Sequence, residues 1–197
     1  MIIVYKNVFD RDTIFESTFE TYLKNPSEIF YALGNNLESL ETIRNEADKY
    51  RRNDLKRTNL PAMDLSMSGV FAIDIDGISN NPELKKKIVD KLSNLPTTYV
   101  VKESVSGNIV AFFKYDCAVA KYPFLYYKMY LELTILLSVN IDFLPEIGRL
   151  RYVDTNPVIY INESSDVVVD FLEVDELPYI KTSVGRKDAR RARYGSN

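Results

Sequence analysis

The spacing of apolar and polar positions changes several times along this chain, and each change marks an element. Met1–Lys6 opens with Ile, Ile and Val, residue types that suit a pleated surface, and predicts a strand. Ser27 followed by Glu28–Leu33 predicts a short capped helix stopped at Gly34. Leu37, Leu40, Ile43 and Ala47 recur at helical spacing among charges, so an amphipathic helix is expected from about Leu37 to Arg57. Asn59-Leu60-Pro61 ends it, because a residue before proline avoids helical dihedrals. Val70–Asp76 is the clearest strand. Pro82 opens a helix that continues to about Leu95, since a missing N–H costs nothing in a first turn. Thr98–Lys102 and Ile109–Tyr115 predict a strand pair joined by Glu103–Asn108. Lys121–Ser138 is apolar nearly all round and predicts a long, central helix. Arg149–Val153, Val158–Ile161 and Val167–Leu172 predict three more short strands. Elements mixed in this order give an α+β chain, not a regular βαβ repeat.

Composition narrows the chemistry. With 197 residues and a hydrophobic fraction of 46%, the chain can bury a real core. We expect one domain over residues 1–184, followed by a basic tail over 185–197. The chain contains no histidine, which removes imidazole acid–base chemistry and the commonest zinc ligand. A single cysteine, Cys117, allows no internal disulfide and suits a reducing compartment. The first residues do not read as a signal peptide, and the most apolar stretch, Leu131–Val139, is far short of a membrane span, so no membrane partner is expected. Net charge is only -3, but its distribution is uneven. Arg44, Lys49, Arg51, Arg52, Lys56 and Arg57 stand against three acids in one short segment, whereas Val158–Ile180 carries six acids and no Lys or Arg. Such a basic stripe is either a surface for phosphates or a solvated helix face.

Alternation along Val70–Asp76 sends Phe71, Ile73 and Ile75 to one face and Ala72, Asp74 and Asp76 to the other. Aspartate is depleted in strands, and two carboxylates on one face repel each other. A hard divalent cation relieves that repulsion, and a solvated strand face ending in a turn at Gly77 is the plainer alternative. Asp142, after the long helix, is a third candidate or simply a turn residue. Arg149 and Arg151 alternate onto one face, where their forks suit phosphate oxygens or neighbouring acids. Ser104-Val105-Ser106-Gly107-Asn108 is a small-residue loop between strands, able to face a phosphate or to serve only as a hairpin turn. The tyrosines of the long helix (Tyr122, Tyr126, Tyr127, Tyr130) read as core packing with hydroxyls at the rim.

The order of these pieces resembles the N-terminal domain of VirE-type replication proteins of phages and mobile elements, a branch related to archaeo-eukaryotic primases and primase-polymerases. The resemblance runs from about Val4 to Asn162. It is carried by Lys56-Arg57-Thr58-Asn59-Leu60-Pro61-Ala62 with Ser68-Gly69-Val70-Phe71, by Ile73-Asp74-Ile75-Asp76-Gly77, by Ser104-Val105-Ser106-Gly107, and by Ile141-Asp142 followed by Arg149-Leu150-Arg151-Tyr152-Val153 and Asn156-Pro157. It implies a primase-polymerase-like fold, a small α/β unit joined to an RNA-recognition-motif-like unit. It also implies a template-directed nucleotidyltransferase with Mg²⁺ or Mn²⁺ held by Asp74, Asp76 and Asp142. Ser104, Ser106, Gly107, Arg149 and Arg151 would meet a nucleoside triphosphate. Arg51, Arg52, Lys56 and Arg57 would track a single-stranded nucleic-acid template. The expected setting is the cytoplasm of a bacterial or phage-infected cell, with a replicative helicase as a further partner. The sequence departs from the pattern at Ala111, where primase-polymerases place a histidine, and at Asp154-Thr155-Asn156-Pro157, where an Asp is expected directly before the proline. A non-catalytic nucleotide- or nucleic-acid-binding module is the alternative reading. Asp-Ile-Asp-Gly also resembles the nucleophile motif of haloacid dehalogenase-type phosphatases, with Ile78 where a Thr usually follows.

Overall fold

The structure, a computed structural model, describes residues 1–35 and 60–169. The expected helix from Leu37 to Arg57, the domain limit at residue 184 and the basic tail lie outside the described residues.

The opening apolar run forms strand β1 (Ile2–Tyr5), with Ile2 and Val4 wholly buried. It pairs antiparallel with β2 (Ile14–Ser17) on one side and β3 (Ala62–Asp64) on the other. Strand β7 (Arg151–Tyr152) extends β3, giving a four-stranded sheet in the order β2-β1-β3-β7. Two short helices follow β2. In α1 (Phe19–Lys24) the Thr18 hydroxyl accepts the Thr21 N–H at 3.0 Å and caps the first turn. In α2 (Pro26–Ala32) the first turn is set by Pro26 behind the N-cap Asn25, two residues ahead of the cap expected at Ser27. Gly34 follows at φ 68°, in the left-handed region that ends a helix without a Cβ penalty.

The second sheet, in the order β4-β6-β5-β8, is antiparallel between every pair of neighbours. It contains β4 (Val70–Ile75), β5 (Thr98–Glu103), β6 (Ile109–Lys114) and β8 (Val158–Ile161). Helix α3 (Pro82–Ser93) connects β4 to β5, and β6 inserts between them, the split β-α-β arrangement. Beyond β4, Ile141 forms an isolated antiparallel bridge to Ile75. The Val167–Leu172 strand reduces to one described bridge, Val168 to Tyr115, with residues from 170 outside the described set.

Both faces of this sheet are covered, and alternation divides them. Phe71, Ile73, Ile75, Val101, Ile109, Ala111 and Phe113 face α3 and α4 (Tyr122–Leu137). Val70, Ala72, Val100, Val110 and Phe112 face the first sheet with Phe19, Tyr22, Ile29 and Phe30 of the short helices. Helix α4 is not central. It lays Tyr122, Leu125, Tyr126, Met129, Leu133 and Leu137 on the sheet and leaves Ile135 79% exposed, so its apolar outer side is surface. The tyrosines behave as expected: Tyr122 and Tyr126 are buried against Phe71, while Tyr127 and Tyr130 pack at the rim against Phe143. Among the described residues no helix is long and apolar enough to cross a membrane.

Candidate functional site

Between the inner faces of the two sheets lies a cleft of about 240 Å³. β4 supplies Asp74, with Asp76 just past its end, and β6 supplies Val110 and Phe112 as floor. From the first sheet come Met63, Arg151 and Tyr152. The β5–β6 turn adds Ser104, Val105 and Ser106, while Arg149, Tyr22 and Asp154 complete the wall. The alternation inferred from sequence explains the acidic pair. With Phe71, Ile73 and Ile75 claimed by the helix side, Asp74 must point to the cleft.

Asp74 is already engaged. Arg151 Nη1 donates to both of its carboxylate oxygens at 2.7 Å, and Nη2 donates to the Ala72 carbonyl at 2.7 Å. The two side chains are 12% and 28% exposed, so water screens them incompletely. Burial acts to lower the Arg151 pKa, but the Asp74 charge and hydrogen bonds outweigh it and hold the guanidinium above its ordinary range. The side chain of Arg149 is exposed and makes no hydrogen bond or ion pair among the described residues.

Asp76 is held by a different device. Asn108, buried in the turn, donates from Nδ2 to Asp76 Oδ1 at 2.8 Å and to Ser106 Oγ at 3.2 Å. Its Oδ1 accepts the Ile78 and Ser79 N–H groups at 3.2 and 3.0 Å, which fixes the orientation of the amide. Ser104 Oγ and Ser106 Oγ are 3.0 Å apart on the cleft side. Gly107 does not line the cleft. It sits at φ 77°, and its N–H closes the turn on the Ser104 carbonyl at 2.8 Å, so that N–H is spent on the hairpin.

Below the turn is a buried cation. Lys102 Nζ donates to Asp154 Oδ1 at 2.6 Å, to the Asp154 carbonyl at 3.2 Å and to the Asn156 carbonyl at 2.6 Å. It also lies 4.9 Å from the Tyr22 ring centroid. Asn156 returns Nδ2 to the Glu103 and Ser104 carbonyls at 3.1 and 2.8 Å, clamping the start of the serine turn. Burial, followed by the Asp154 charge, pushes the Tyr22 hydroxyl well above its usual pKa, so it stays a neutral donor. The unexpected Asp154-Thr155-Asn156-Pro157 segment therefore has a structural task. It neutralises Lys102 and ties β5 to the segment after β7.

The structure thus gathers Asp74, Asp76, Ser104, Ser106, Arg149 and Arg151 in one cleft. Asp142 lies beside Asp74 through its backbone, donating its N–H to the Asp74 carbonyl at 3.1 Å, but it is not part of the lining. Among the described residues no three carboxylate or thiol side chains converge as a metal-holding group. Arg51, Arg52, Lys56 and Arg57 lie outside the described residues. Ala111 faces the helix layer, fully buried, so its position cannot present any side chain to the cleft. The cleft-facing neighbours are Val110 and Phe112. From sequence Lys102 carried no role, and Asn108, Asp154 and Asn156 stood only within longer segments, without the partners found here. The one available signal was a lysine in an apolar strand, Val100-Val101-Lys102, which demands a buried partner. No protein-family model, curated protein or solved structure matches this chain.

Proposed function

We infer that the cleft binds the phosphates of a nucleoside triphosphate and that the chain is a template-directed nucleotidyltransferase of the primase-polymerase type. One observation carries this reading. Two carboxylates, two serine hydroxyls and two arginines from three separated segments meet in a single cleft. That set has the chemistry a metal-bound polyphosphate requires, oxygen donors for a hard cation beside cationic forks for phosphate. The split β-α-β sheet flanked by two helices on one face, with Ile141 bridging beyond β4, further supports an RNA-recognition-motif-like unit.

At about 240 Å³ the cleft is smaller than the ~300–1,000 Å³ of most small-molecule sites, so it suits the phosphate tail, with sugar and base at the rim. Ser104 and Ser106 would donate to terminal phosphate oxygens, held in place by the Asn108 and Asn156 bonds. Arg149, exposed and without a partner among the described residues, would neutralise phosphate charge. Asp74 and Asp76 fit as ligands of Mg²⁺ or Mn²⁺, with Asp142 near enough in the chain path to join them. Such an ion, when bound, supplies charge neutralisation at the transferred phosphoryl group and a more acidic attacking hydroxyl. The basic Arg51–Arg57 segment would follow a single-stranded template, and a replicative helicase would be the natural partner.

The test is primer synthesis on single-stranded DNA with Mg²⁺ or Mn²⁺ and all nucleotides. Product that vanishes in Asp76→Ala while the circular dichroism spectrum persists supports the reading. A second reading, a binding module without chemistry, is favoured by the Arg151 hydrogen bonds that cover both Asp74 oxygens. Template binding without product under any of these conditions would select it. The same engagement counts against an acyl-phosphate mechanism, which needs a free carboxylate oxygen as nucleophile.

A further inference from the structure

The Arg151–Asp74 contact joins β7 of the first sheet to β4 of the second, and it covers a carboxylate that lines the cleft. We propose that this ion pair is a latch operated by phosphate. In the empty cleft Arg151 holds Asp74 and keeps divalent cations off it. A polyphosphate entering beside Ser104, Ser106 and Arg149 draws the guanidinium onto its own oxygens and releases the Asp74 carboxylate. The inference rests on the preceding reading in that it takes the cleft's ligand to be a polyphosphate.

Three features make the exchange feasible. First, a guanidinium has five N–H donors, and those of Arg151 with partners among the described residues are on Nη1 and Nη2, which leaves Nε–H to meet a phosphate before Asp74 is let go. Second, the Ala72 carbonyl is a separate anchor for Nη2, so the guanidinium stays at the cleft wall after release. Third, Asp74 is the more exposed partner, 28% against 12%, so the carboxylate is the side a cation can approach. A dication on Asp74 would stand within a few ångströms of Nη1, where like charges repel with little screening.

Charge balance sets the direction. Asp74 and Asp76 offset Arg149 and Arg151 in the empty cleft, and Lys102 offsets Asp154 beneath it. A phosphate entering with a dication meets less repulsion from Asp74 and Asp76 than a phosphate alone, and a dication entering with a phosphate meets less repulsion from Arg149 and Arg151 than a dication alone. Cation and phosphate therefore strengthen each other's binding, and by linkage they do so by the same factor.

Two binding experiments on the full chain test this. Mn²⁺ affinity without phosphate, followed by electron paramagnetic resonance, should rise about tenfold or more in Arg151→Met, and the gain should disappear in Arg151→Met/Asp74→Asn. An unchanged or weaker affinity in Arg151→Met overturns the latch. Because losing Arg151 also removes the Ala72 anchor and risks misfolding, the second experiment leaves it in place. Calorimetry with tripolyphosphate in EDTA compares Asp74→Asn with Asp76→Asn, each of which removes one charge from the same cleft. Only the first frees Arg151, so its affinity should exceed that of Asp76→Asn by about fivefold. Equal gains overturn the latch, as does the failure of every protein to bind either probe. Primer synthesis by the wild-type chain judges nucleotidyl transfer separately. Product without these binding signatures removes the latch alone, and the signatures without product remove the transfer reading alone.

Discussion

Replacing Lys102 by methionine should be among the most damaging single changes in the described residues. Methionine keeps most of the stem volume, so the perturbation is chiefly electrostatic. The Lys102 and Asp154 side chains are 1% and 4% exposed, with Nζ 2.6 Å from Oδ1. Removing one partner deprives the other of its nearest counter-charge in the interior, a loss that typically costs ~3–5 kcal/mol. Asp154 keeps the Asn156 N–H at 2.9 Å and the Tyr22 hydroxyl at 3.5 Å, which places the cost towards the lower end. Against a total stability of ~5–15 kcal/mol this is a large share, and for a chain of this size it lowers Tm by roughly 6–15 °C. Urea unfolding followed by far-ultraviolet circular dichroism measures it directly. The double variant Lys102→Met/Asp154→Leu should lose less than the two single losses added, because both buried charges are removed together. A Lys102→Met protein within about 1 kcal/mol of wild type would refute the reasoning, since it would mean that Asp154 finds water or another cation.

Asn108→Asp keeps the acceptor for Ile78 and Ser79 but sets a carboxylate against Asp76, and should cost ~1–3 kcal/mol in urea unfolding. Asn108→Asp/Asp76→Asn restores the bond with its polarity reversed and should recover most of that loss, and no recovery would break the pairing. Gly107→Ala forces a Cβ into the left-handed region and within 3.4 Å of Ser79 Cβ, so a loss of ~1–2 kcal/mol is expected in the same assay. Burial and then the Asp116 charge raise the Cys117 thiol pKa, so less thiolate is present at neutral pH than in a free peptide. Iodoacetamide should label it several-fold more slowly than such a peptide, and the gap should narrow as pH rises through the shifted value; labelling at the peptide's rate would contradict the shift.

Elements were legible where their composition, period or punctuation was unambiguous. Val158–Ile161 is reproduced as expected, and Pro82 and Asn81 open α3 where the proline signal put them. Three short elements were not. β2, β3 and α1 span four, three and six residues, too few for a period to show, and β3 begins directly after Pro61. Helix α4 misled by composition, because Ile135 is apolar on an outward face and so hides which side is buried. At the site, strand alternation correctly separated Asp74 from Phe71, Ile73 and Ile75. What alternation cannot supply is pairing across the chain. That Arg151 takes Asp74, that Lys102 takes Asp154 and that Asn108 binds Asp76 are facts of register between distant strands. Ala111, where the resemblance places a histidine, is turned to the helix layer, and β6 presents Val110 and Phe112 to the cleft instead.

The two sheets also differ in how their strands are spread along the chain. β5 and β6 are joined by a tight turn, so this part of the second sheet can zip from a local contact. The first sheet draws on residues near the start of the chain, then Ala62–Asp64, then Arg151–Tyr152, and its last pairing sets Met63 opposite Arg151. Closing so long a loop is slow, and nothing rewards it until β7 docks. The step that seats β7 is the one that delivers Arg151 to Asp74 and Asp154 to Lys102. Refolding should therefore show the helical signal recovering before any phosphate-binding capacity returns. A nascent chain shorter than about 150 residues would possess the floor of the cleft but not its far wall.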